Sequence, residues 1–524
     1  MSHFHPYVPR FARRWATGRS VLAPDLTPAL RGAIFVADIA GFTALSEAKA
    51  RAGQAGIEEM QAILNRCFER IVAIIEEGGG EVYKFAGDAT IAWWPADASS
   101  ARDAVQGAAA TALRLQALVP ELELAARIPL SLRIGIGEGE LYTAILGGVN
   151  DRWEAVLGGD ALAQVAGADA ALPGQVVLSA KAFEMLRADC SGSAVANGAF
   201  AIDGVTPPLP IEARPAAPEP VEAIILPFVP RHVANRVRAS PHGWLAELRF
   251  ATVLFAAAPA PRDLEALQRS VEAMQRSVYG CGGSVVQCLV DDKGKLVLIG
   301  AWGIPGSSYA NDAERSIRAA HALHTALVAS GQRPSVGVAS GELFAGLRGA
   351  PSRSEFALIG ATVNRAARLA EAANGKVWCD EPTSRTANAI AFAALPDVTL
   401  KGIGRVKVFE PQGRRTQAGA EAGELVGRDA ELGVLLEALA RVSADPARGA
   451  VILVEGEPGI GKSRLCEAFA SAAREAGLVV AEAGSEPLDN GTAYRPLRDV
   501  MRTLLGLDAT LSADARREKV LALM

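Results

Sequence analysis

The feature that most constrains this chain is an internal repeat, in which three separate segments recur in the same order. Residue 131 of the first copy corresponds to residue 334 of the second, so the offset is close to 203 residues. Such regular self-similarity predicts that one domain occurs twice. The matching segments are 131–148 with 334–349, 156–179 with 358–379, and 76–85 with 279–288.

Each copy carries an amphipathic helix immediately before a glycine cluster. The glycines suit a helix C-cap followed by a tight turn into the next strand. Each copy reads as strand, helix, two-stranded hairpin, helix and strand, which predicts an α+β fold with antiparallel sheets. The apolar stripes of the two helices are Ile57, Met60, Leu64, Phe68, Ile71 and Ile75, and Leu264, Leu267, Val271, Met274 and Val278.

The composition limits the class of protein. Half of the 524 residues are hydrophobic, which favours sizeable cores, and the net charge of −5 gives no reason to expect a nucleic-acid partner. No run of 18 or more apolar residues and no signal peptide is recognised, so we expect a cytoplasmic protein without a transmembrane segment. The six scattered cysteines favour reduced core thiols. A basic cluster in the N-terminal arm is expected to be solvated; it comprises Arg10, Arg13, Arg14 and Arg19.

Linker-like sequences divide the chain into three domains. The proline-rich stretch at 206–220 separates the two copies, and a second linker follows the second copy. The expected organisation is an N-terminal arm (1–29), a first domain (30–205), a linker (206–240), a second domain (241–411), a linker (412–424) and a third domain (425–524).

Two aspartates of the first copy are candidate metal ligands. Asp38 lies in the apolar segment AIFVADIAGFTAL (33–45), which predicts a buried strand, and Asp88 lies at the tip of the hairpin KFAGDATIAWW (84–94). A buried carboxylate without a partner is costly, whereas paired carboxylates beside backbone carbonyls suit Mg²⁺. The alternative is structural: Asp38 caps a turn and Asp88 fills an Asx turn.

These two segments resemble the metal-binding signatures of class III nucleotidyl cyclases. The tandem arrangement followed by a P-loop resembles the soluble adenylyl cyclases, a group that includes bicarbonate-responsive enzymes, and the resemblance covers about residues 30 to 500. It implies two ferredoxin-like cyclase domains paired about a pseudo-twofold axis, with the nucleotide in the groove between them. The implied reaction converts ATP to 3′,5′-cyclic AMP and pyrophosphate.

The resemblance also assigns the metal-bearing half of the site to the first copy. It implies two Mg²⁺ or Mn²⁺ ions held by Asp38, Asp88 and the backbone carbonyl of Ile39. Phe42 and Thr43, in the same signature, correspond to nucleotide contacts.

The second copy resembles the transition-state half of such a site. Asn364 and Arg368 stand four residues apart on one helix face, and the resemblance implies that they orient the ribose and stabilise charge on the α-phosphate. Lys401 is similar to a lysine that meets the terminal phosphates, and Arg133 to an arginine that reaches the triphosphate from the first copy. For each basic residue, a solvated surface role is the alternative.

The two copies are complementary at these positions. Where the first copy has Asp38, the second reads ATVLFAAAPAP (251–261) without a carboxylate. Where the second copy has Asn364 and Arg368, the first has Leu162 and Ala166, and Ser335 replaces Arg133. This asymmetry predicts one catalytic site and one degenerate site.

The base-recognition positions depart from the family pattern. The resemblance places Gln287 where adenylyl cyclases have a lysine and Ala357 where they have its partner, with Leu358 beside it as a nucleotide contact. A glutamine amide both donates and accepts, so it can read N1 and the 6-amino group of adenine. The overall resemblance favours ATP as the substrate. Guanylyl cyclase activity is the alternative, as is a non-catalytic nucleotide- or anion-sensing module coupled to a signalling ATPase.

The degenerate site has one candidate residue for a small-anion regulator. Lys84 resembles the lysine of a bicarbonate pocket, but Val165 stands where the accompanying arginine is expected. This replacement argues against control by bicarbonate.

A P-loop opens the third domain. The sequence VILVEGEPGIGKS (451–463) is a strand followed by glycines and a helix start, the context in which backbone amides bind phosphates. Lys462 would meet the β- and γ-phosphates and Ser463 would bind Mg²⁺, with the loop formed around Gly456, Gly459 and Gly461. Because only about 60 residues follow, we expect a partial domain that does not hydrolyse ATP.

Overall fold

The computed structural model divides the chain into two compact units, Met1–Gly413 and Arg414–Met524, which are described separately. The first unit contains both copies of the repeat. The structure describes residues 3–40, 53–87, 89–96, 100–126, 130–165, 172–206, 220–239, 247–304, 308–309, 311–414, 427–445, 449–455, 462–481, 495–507 and 513–522.

The first repeat is built on one mixed sheet flanked by helices. Its strands follow the order β2-β3-β1-β4-β6-β8-β7, and β5 pairs with β4. The elements are β1 (Asp25–Ala40), α2 (Gly53–Glu77), β2 (Glu81–Ala86), β3 (Ala89–Ala96), α3 (Ala101–Ala126), β4 (Ser131–Val149), β5 (Arg152–Gly159), α4 (Asp160–Val165), β6 (Val176–Leu178), α5 (Ala180–Leu186), β7 (Cys190–Ala194) and β8 (Phe200–Val205), preceded by α1 (Arg10–Ala16).

The second repeat has the same topology, with the order β10-β11-β9-β12-β14-β18-β15 and β13 paired with β12. A separate hairpin, β16–β17, precedes the last strand. The elements are α6 (Glu222–Ile225), α7 (Arg231–Ala239), β9 (Glu247–Pro259), α8 (Leu264–Gly280), β10 (Ser284–Val290), β11 (Lys295–Trp302), α9 (Asp312–Ala329), β12 (Ser335–Ala350), β13 (Arg353–Ile359), α10 (Ala361–Ala372), β14 (Val377–Asp380), α11 (Glu381–Thr386), β15 (Ile390–Ala394), β16 (Val398–Leu400), β17 (Gly404–Val406) and β18 (Val408–Arg414). The predicted α+β fold and its repetition are confirmed.

Equivalent tryptophans close the glycine turn between helix and hairpin in each repeat. The indole of Trp94 donates to the carbonyl of Gly78 at 2.7 Å, and that of Trp302 donates to the carbonyl of Cys281 at 3.0 Å. A Cβ atom at Gly80 or Gly283 would lie 2.6 or 2.5 Å from the corresponding indole ring. The glycine clusters recognised in the sequence are therefore required by close packing of an aromatic ring against the backbone.

One strand pair in each sheet departs from the predicted antiparallel arrangement. Strands β4 and β6 are parallel, as are β12 and β14. Between β4 and β6 the chain runs through β5 and the helix α4, and between β12 and β14 it runs through β13 and the helix α10. A helical crossover of this kind is what a parallel pair requires.

The basic side chains of the N-terminal arm are solvent-exposed, as expected: those of Arg10, Arg14 and Arg19 are 45%, 40% and 48% exposed. The arm that carries them is nevertheless packed against the protein. Helix α1 buries apolar side chains, and its arginines pair with acidic groups of the first repeat. Arg10 lies 3.0 Å from Glu76, and Arg14 donates two hydrogen bonds to Glu81. The buried apolar side chains of α1 therefore dock the arm, and the partly exposed ion pairs add little to this contact.

Residues 220–239, within the predicted linker, pack against both repeats. Ile225 and Val233 are fully buried in a core cluster that also contains Ile34 of the first repeat and Val253 of the second. His232, at the start of α7, stacks edge-on against Phe356 with ring centroids 4.5 Å apart. This segment thus contributes to the joint core.

The buried His232 is expected to make the first unit sensitive to acid. Burial, together with the charge of Arg152, lowers the pKa of His232 from 6.5 to about 3. The folded state therefore keeps a neutral imidazole while the unfolded chain binds a proton, so stability falls as the pH drops from 6.5 towards 3. In urea unfolding, His232→Gln should reduce the stability lost between pH 7.5 and pH 5 by about 2 kcal/mol. An unchanged pH dependence would contradict this assignment.

The second unit contributes helices α12 (Asp429–Ala444), α13 (Lys462–Glu475), α14 (Arg495–Leu504) and α15 (Ala513–Ala522). Helices α12 and α13 contact each other. Across the parts of the chain that the structure describes, no helix is long and apolar enough to cross a membrane.

Candidate active site between the repeats

Asp38 lies near the end of β1, between two neighbouring strands. Its register partners are Ala89 on β3 and Arg133 on β4. Ala89 directly follows Asp88 in the chain, although Asp88 itself lies outside the described residues. Within the described residues, β1 pairs with β3 as far as Asp38 and continues beside β4 through Ile39. The end of β1 is thus adjacent to the return strand of the hairpin that carries Asp88.

Arg133 forms an ion pair with Asp38 in this structure. Both side chains are partly exposed, 43% for Arg133 and 28% for Asp38. The family resemblance predicts that Arg133 contacts the triphosphate. In the structure this arginine instead pairs with Asp38, a predicted metal ligand. A cation at Asp38 would therefore compete with the guanidinium for the carboxylate.

The corresponding position of the second repeat has no carboxylate. Ala257 of β9 is opposite Val297 on β11 and Ser335 on β12, the register that Asp38 has in the first repeat. Asp291, in the hairpin between β10 and β11, instead accepts hydrogen bonds from the amides of Lys293 and Lys295. This aspartate closes a turn.

The two repeats exchange equivalent contacts across their interface. Helix α2 of the first packs on β12 of the second, while α8 packs on β4. Strand β13 contacts β2, and β10 contacts β5. The β2–β3 hairpin therefore lies against β13, the strand that precedes α10. The β10–β11 hairpin lies against β5, the strand that precedes α4.

Strand β2, which precedes Asp88, is held by side chains of the second repeat. Glu355 accepts a hydrogen bond from the amide of Phe85 at 3.1 Å, and Arg353 donates to the carbonyl of Tyr83 at 2.7 Å. Arg348 donates to the carbonyls of Phe85 and Gly87. Burial alone would raise the pKa of Glu355, but the nearby arginines and Lys84 lower it, so the carboxylate is ionised in this contact.

Arg353 and Glu355 belong to β13. This strand leads through Gly360 into α10, which carries Asn364 and Arg368. The side chain of Arg368 is 39% exposed and donates to Glu371 at 2.7 Å. Lys293 donates to the same carboxylate at 3.0 Å. Hydrogen bonds from Lys293 and Arg368 lower the pKa of Glu371 to about 2. Arg368 is thus solvent-accessible and oriented by a fully ionised neighbour.

The base-recognition candidates are buried. Gln287, on β10, is 6% exposed and donates from its amide to the carbonyl of Phe85 at 2.5 Å. Leu358 and Ala357 of β13 are 7% and 2% exposed. The amide nitrogen of Gln287 is engaged in the contact between repeats, and its role toward a base stays a prediction.

The remaining candidates are spread over the chain. Lys401 lies in the exposed turn between β16 and β17. Lys462 is the first residue of α13, followed by Ser463. Several predicted positions lie outside the described residues, namely Phe42, Thr43, Gly456, Gly459 and Gly461.

Lys84 lies on the interface but is engaged by the protein. Its ammonium donates to the carbonyl of Cys288 at 2.6 Å, while Gln287 makes the equivalent contact with the carbonyl of Phe85. A cavity of about 40 Å³ adjoins Lys84, Arg152, Glu154 and Glu355. Burial raises the pKa of Glu154 despite the nearby Arg152 and Lys84. The ammonium of Lys84 is thus bonded to a backbone carbonyl, and two protein carboxylates line the adjoining cavity together with Arg152.

The donor chemistry at the end of β1 fits a hard divalent cation. Within the described ranges, no group of three His, Cys, Asp or Glu side chains is arranged to hold a metal. The predicted set instead combines two carboxylates with the carbonyl of Ile39, and Asp38 is accessible at the strand end. Oxygen ligands of this kind suit Mg²⁺ and Mn²⁺.

Sequence reasoning missed three residues of the interface, Arg348, Arg353 and Glu355. A signal was present, because FAGLRGA (344–350) places an arginine inside an apolar strand where the first repeat has YTAILGG (142–148). The register confirms the equivalence: Arg348 is opposite Glu355, and Leu146 is opposite Glu154.

Two protein-family models match separate parts of this chain. Residues 31–208 match the adenylate and guanylate cyclase catalytic domain, and residues 424–523 match the AAA ATPase domain. Human adenylate cyclase type 10 is 23% identical over 555 residues, covering 94% of this chain and 34% of that protein. The rabbit protein of the same name is 24% identical over 501 residues, covering 83% of this chain and 30% of that protein. The chain thus spans about a third of the length of these curated relatives.

Solved structures also show similarity. A class III adenylyl cyclase-like ATP-binding protein from Pseudomonas aeruginosa is 14% identical with a TM-score of 0.49, covering 69% of this chain and 85% of that chain. The adenylyl cyclase CyaB from P. aeruginosa is 21% identical with a TM-score of 0.30, covering 33% of this chain and 99% of that chain.

Proposed function

We propose that this chain, which contains an adenylate and guanylate cyclase catalytic domain at residues 31–208 and an AAA ATPase domain at residues 424–523, is an adenylyl cyclase. It converts ATP to 3′,5′-cyclic AMP and pyrophosphate at a single site between its repeats. The preference for ATP is supported by the relatives named adenylate cyclase type 10.

One observation supports the proposal most strongly: the strands that lead into the two predicted half-sites are in contact with each other. Strand β2 leads into the hairpin tip with Asp88, and β13, which contacts β2, leads into the helix with Asn364 and Arg368. On the other groove, the equivalent positions are Ala257 in place of Asp38 and Leu162 in place of Asn364. Only one groove therefore combines carboxylates with the arginine.

The residues of the first repeat bind the metal-bound triphosphate. Asp38, Asp88 and the carbonyl of Ile39 would hold Mg²⁺ or Mn²⁺, which when bound lowers the pKa of the ribose 3′-hydroxyl and neutralises phosphate charge. Because Arg133 pairs with Asp38, a cation held by Asp38 would compete with the guanidinium for this carboxylate, and Arg133 would then be available to the triphosphate.

The residues of the second repeat stabilise the reacting phosphate. Arg368 exchanges Glu371 for the α-phosphate oxygens, where its planar donors bind the charge that develops as the 3′-oxygen attacks. Asn364, one helical turn earlier, orients the ribose, and Lys401 binds the terminal phosphates. Because the metal ligands lie on one repeat and the transition-state donors on the other, activity depends on the pairing of the two repeats.

A non-catalytic nucleotide-binding module is the second candidate. The Arg133–Asp38 ion pair favours it, because it already neutralises the carboxylate. The engaged amide of Gln287 favours it as well. In this role, nucleotide binding between the repeats would be read by the AAA ATPase domain.

A product assay separates these candidates. The purified 524-residue chain is incubated with Mn²⁺ and either ATP or GTP, and the cyclic products are separated chromatographically. The proposal expects cyclic AMP from ATP at a rate at least about 10-fold above cyclic GTP from GTP. Faster turnover of GTP indicates a guanylyl cyclase, and no cyclic product from either substrate supports the non-catalytic module. The same assay with and without bicarbonate tests the regulator.

A further inference from the structure

Arg348, on β12 of the second repeat, is a buried arginine that reaches the hairpin of the first. Its side chain is 2% exposed. One guanidinium nitrogen donates to the carbonyl of Gly87, and the other donates to the carbonyl of Phe85 at 2.9 Å. Gly87 is the turn residue that immediately precedes Asp88 in the chain.

The guanidinium is enclosed by aromatic rings of the first repeat. Its central carbon lies 5.2 Å from the ring centroids of both Phe68 and Phe85. Phe68 belongs to α2 and Phe85 to β2, so one side chain contacts the helix and the hairpin together. Aromatic faces stabilise a cation that has left water.

The other groove lacks this arrangement. Leu146 has the register of Arg348 and is fully buried in an apolar cluster with Val271 and Met274 of α8. An apolar residue therefore satisfies the same packing between repeats. Burying a charged guanidinium is costly compared with a leucine, so packing alone does not account for Arg348.

We propose that Arg348 is a positioning residue that lets the second repeat fix the metal-binding hairpin of the first. By holding the carbonyls of Phe85 and Gly87, it fixes the backbone at the end of β2, the segment that leads into the hairpin tip. The inference rests on the proposed function, because it takes Asp38 and Asp88 to be metal ligands. The guanidinium holds the two carbonyls through two nitrogens in a fixed planar geometry, whereas a lysine ammonium is a compact charge on a flexible stem and fixes their positions less well.

The test is the affinity of the purified 524-residue chain for Mn²⁺ alone, measured from the free Mn²⁺ signal in electron paramagnetic resonance. Arg348→Leu, which installs the residue of the first repeat, is expected to weaken Mn²⁺ binding about 10-fold, the effect of losing a partner that orients a ligand. Arg348→Lys should give an intermediate loss. In activity assays, both should raise the Mn²⁺ concentration for half-maximal rate while the KM for ATP changes less than about 3-fold.

Gln268→Leu is the matched control, because the Gln268 amide exchanges two hydrogen bonds with Gly147 across the opposite groove. It weakens the contact between repeats without touching the hairpin, and Mn²⁺ affinity should stay at the wild-type value. Equal Mn²⁺ affinity in Arg348→Leu and wild type would overturn the proposal, as would an equal loss in Gln268→Leu. If the wild type binds Mn²⁺ through Asp38 but forms no cyclic product, the proposed reaction fails while the role of Arg348 stands.

Discussion

Replacing Asp38 with alanine is expected to reduce the rate of cyclic AMP formation by about 100- to 1,000-fold. The substitution removes the carboxylate at the end of β1, so charge on the reacting phosphates is no longer neutralised by a correctly placed cation. The accompanying loss of the Asp38–Arg133 ion pair is a small effect on folding, because both side chains are partly exposed. Initial rates with ATP and saturating Mn²⁺, together with the thermal unfolding midpoint, measure the two effects separately.

Asp292→Asn is the matched control for Asp38. It removes a carboxylate from the hairpin of the second repeat, in the sequence DDKG (291–294). Because β9, the strand equivalent to β1, carries Ala257 in place of a carboxylate, this hairpin has no partner acid for a metal ion, and the rate should change less than about 2-fold. Full activity in Asp38→Ala, or an equal loss in both variants, would be incompatible with a single metal site in the first repeat.

Replacing Arg368 with alanine is expected to lower kcat by about 100- to 1,000-fold, the range found when a donor to transition-state charge is removed. The KM for ATP should change much less, because the guanidinium acts mainly on charge that develops during the reaction. Arg368→Lys should recover little of the rate, since lysine lacks the planar pair of donors. Steady-state kinetics at fixed Mn²⁺ determine both constants.

Arg385→Ala is the control for Arg368. Arg385 is an exposed arginine that pairs with Glu381 on α11, much as Arg368 pairs with Glu371 on α10. Its removal should leave kcat unchanged. A loss in Arg368→Ala that appears only in KM would assign this residue to ground-state binding and contradict its proposed role.

The repeat in the sequence was sufficient to predict the fold class and the difference between the two grooves. Glycine clusters and apolar stripes are local signals, and the structure shows the same turn with an equivalent tryptophan in both copies. The sequence also predicted that the second repeat has no acid at the position equivalent to Asp38, and the strand register places Ala257 there. These features could be predicted because they depend on local sequence patterns and on comparison of the two copies.

What sequence reasoning missed depends on contacts between distant segments. Arg14 looked like a solvated residue of a basic arm, but its partner, Glu81, is 67 positions away. Arg348 and the carbonyl of Gly87 are 261 positions apart. The pairing of Arg133 with Asp38 required the register of β1 against β4. Residue type indicates that such groups need partners, but only the tertiary structure identifies them.

The most direct test of a single site shared by two repeats of one chain is complementation between inactive variants. Asp38→Ala and Arg368→Ala proteins are purified, mixed in equal amounts, and assayed for cyclic AMP beside each variant and the wild type. The account predicts that the mixture is no more active than the separate variants, because each chain builds its site from its own two repeats. Recovery of activity towards the wild-type rate would show that the halves come from different chains, and it would contradict the account.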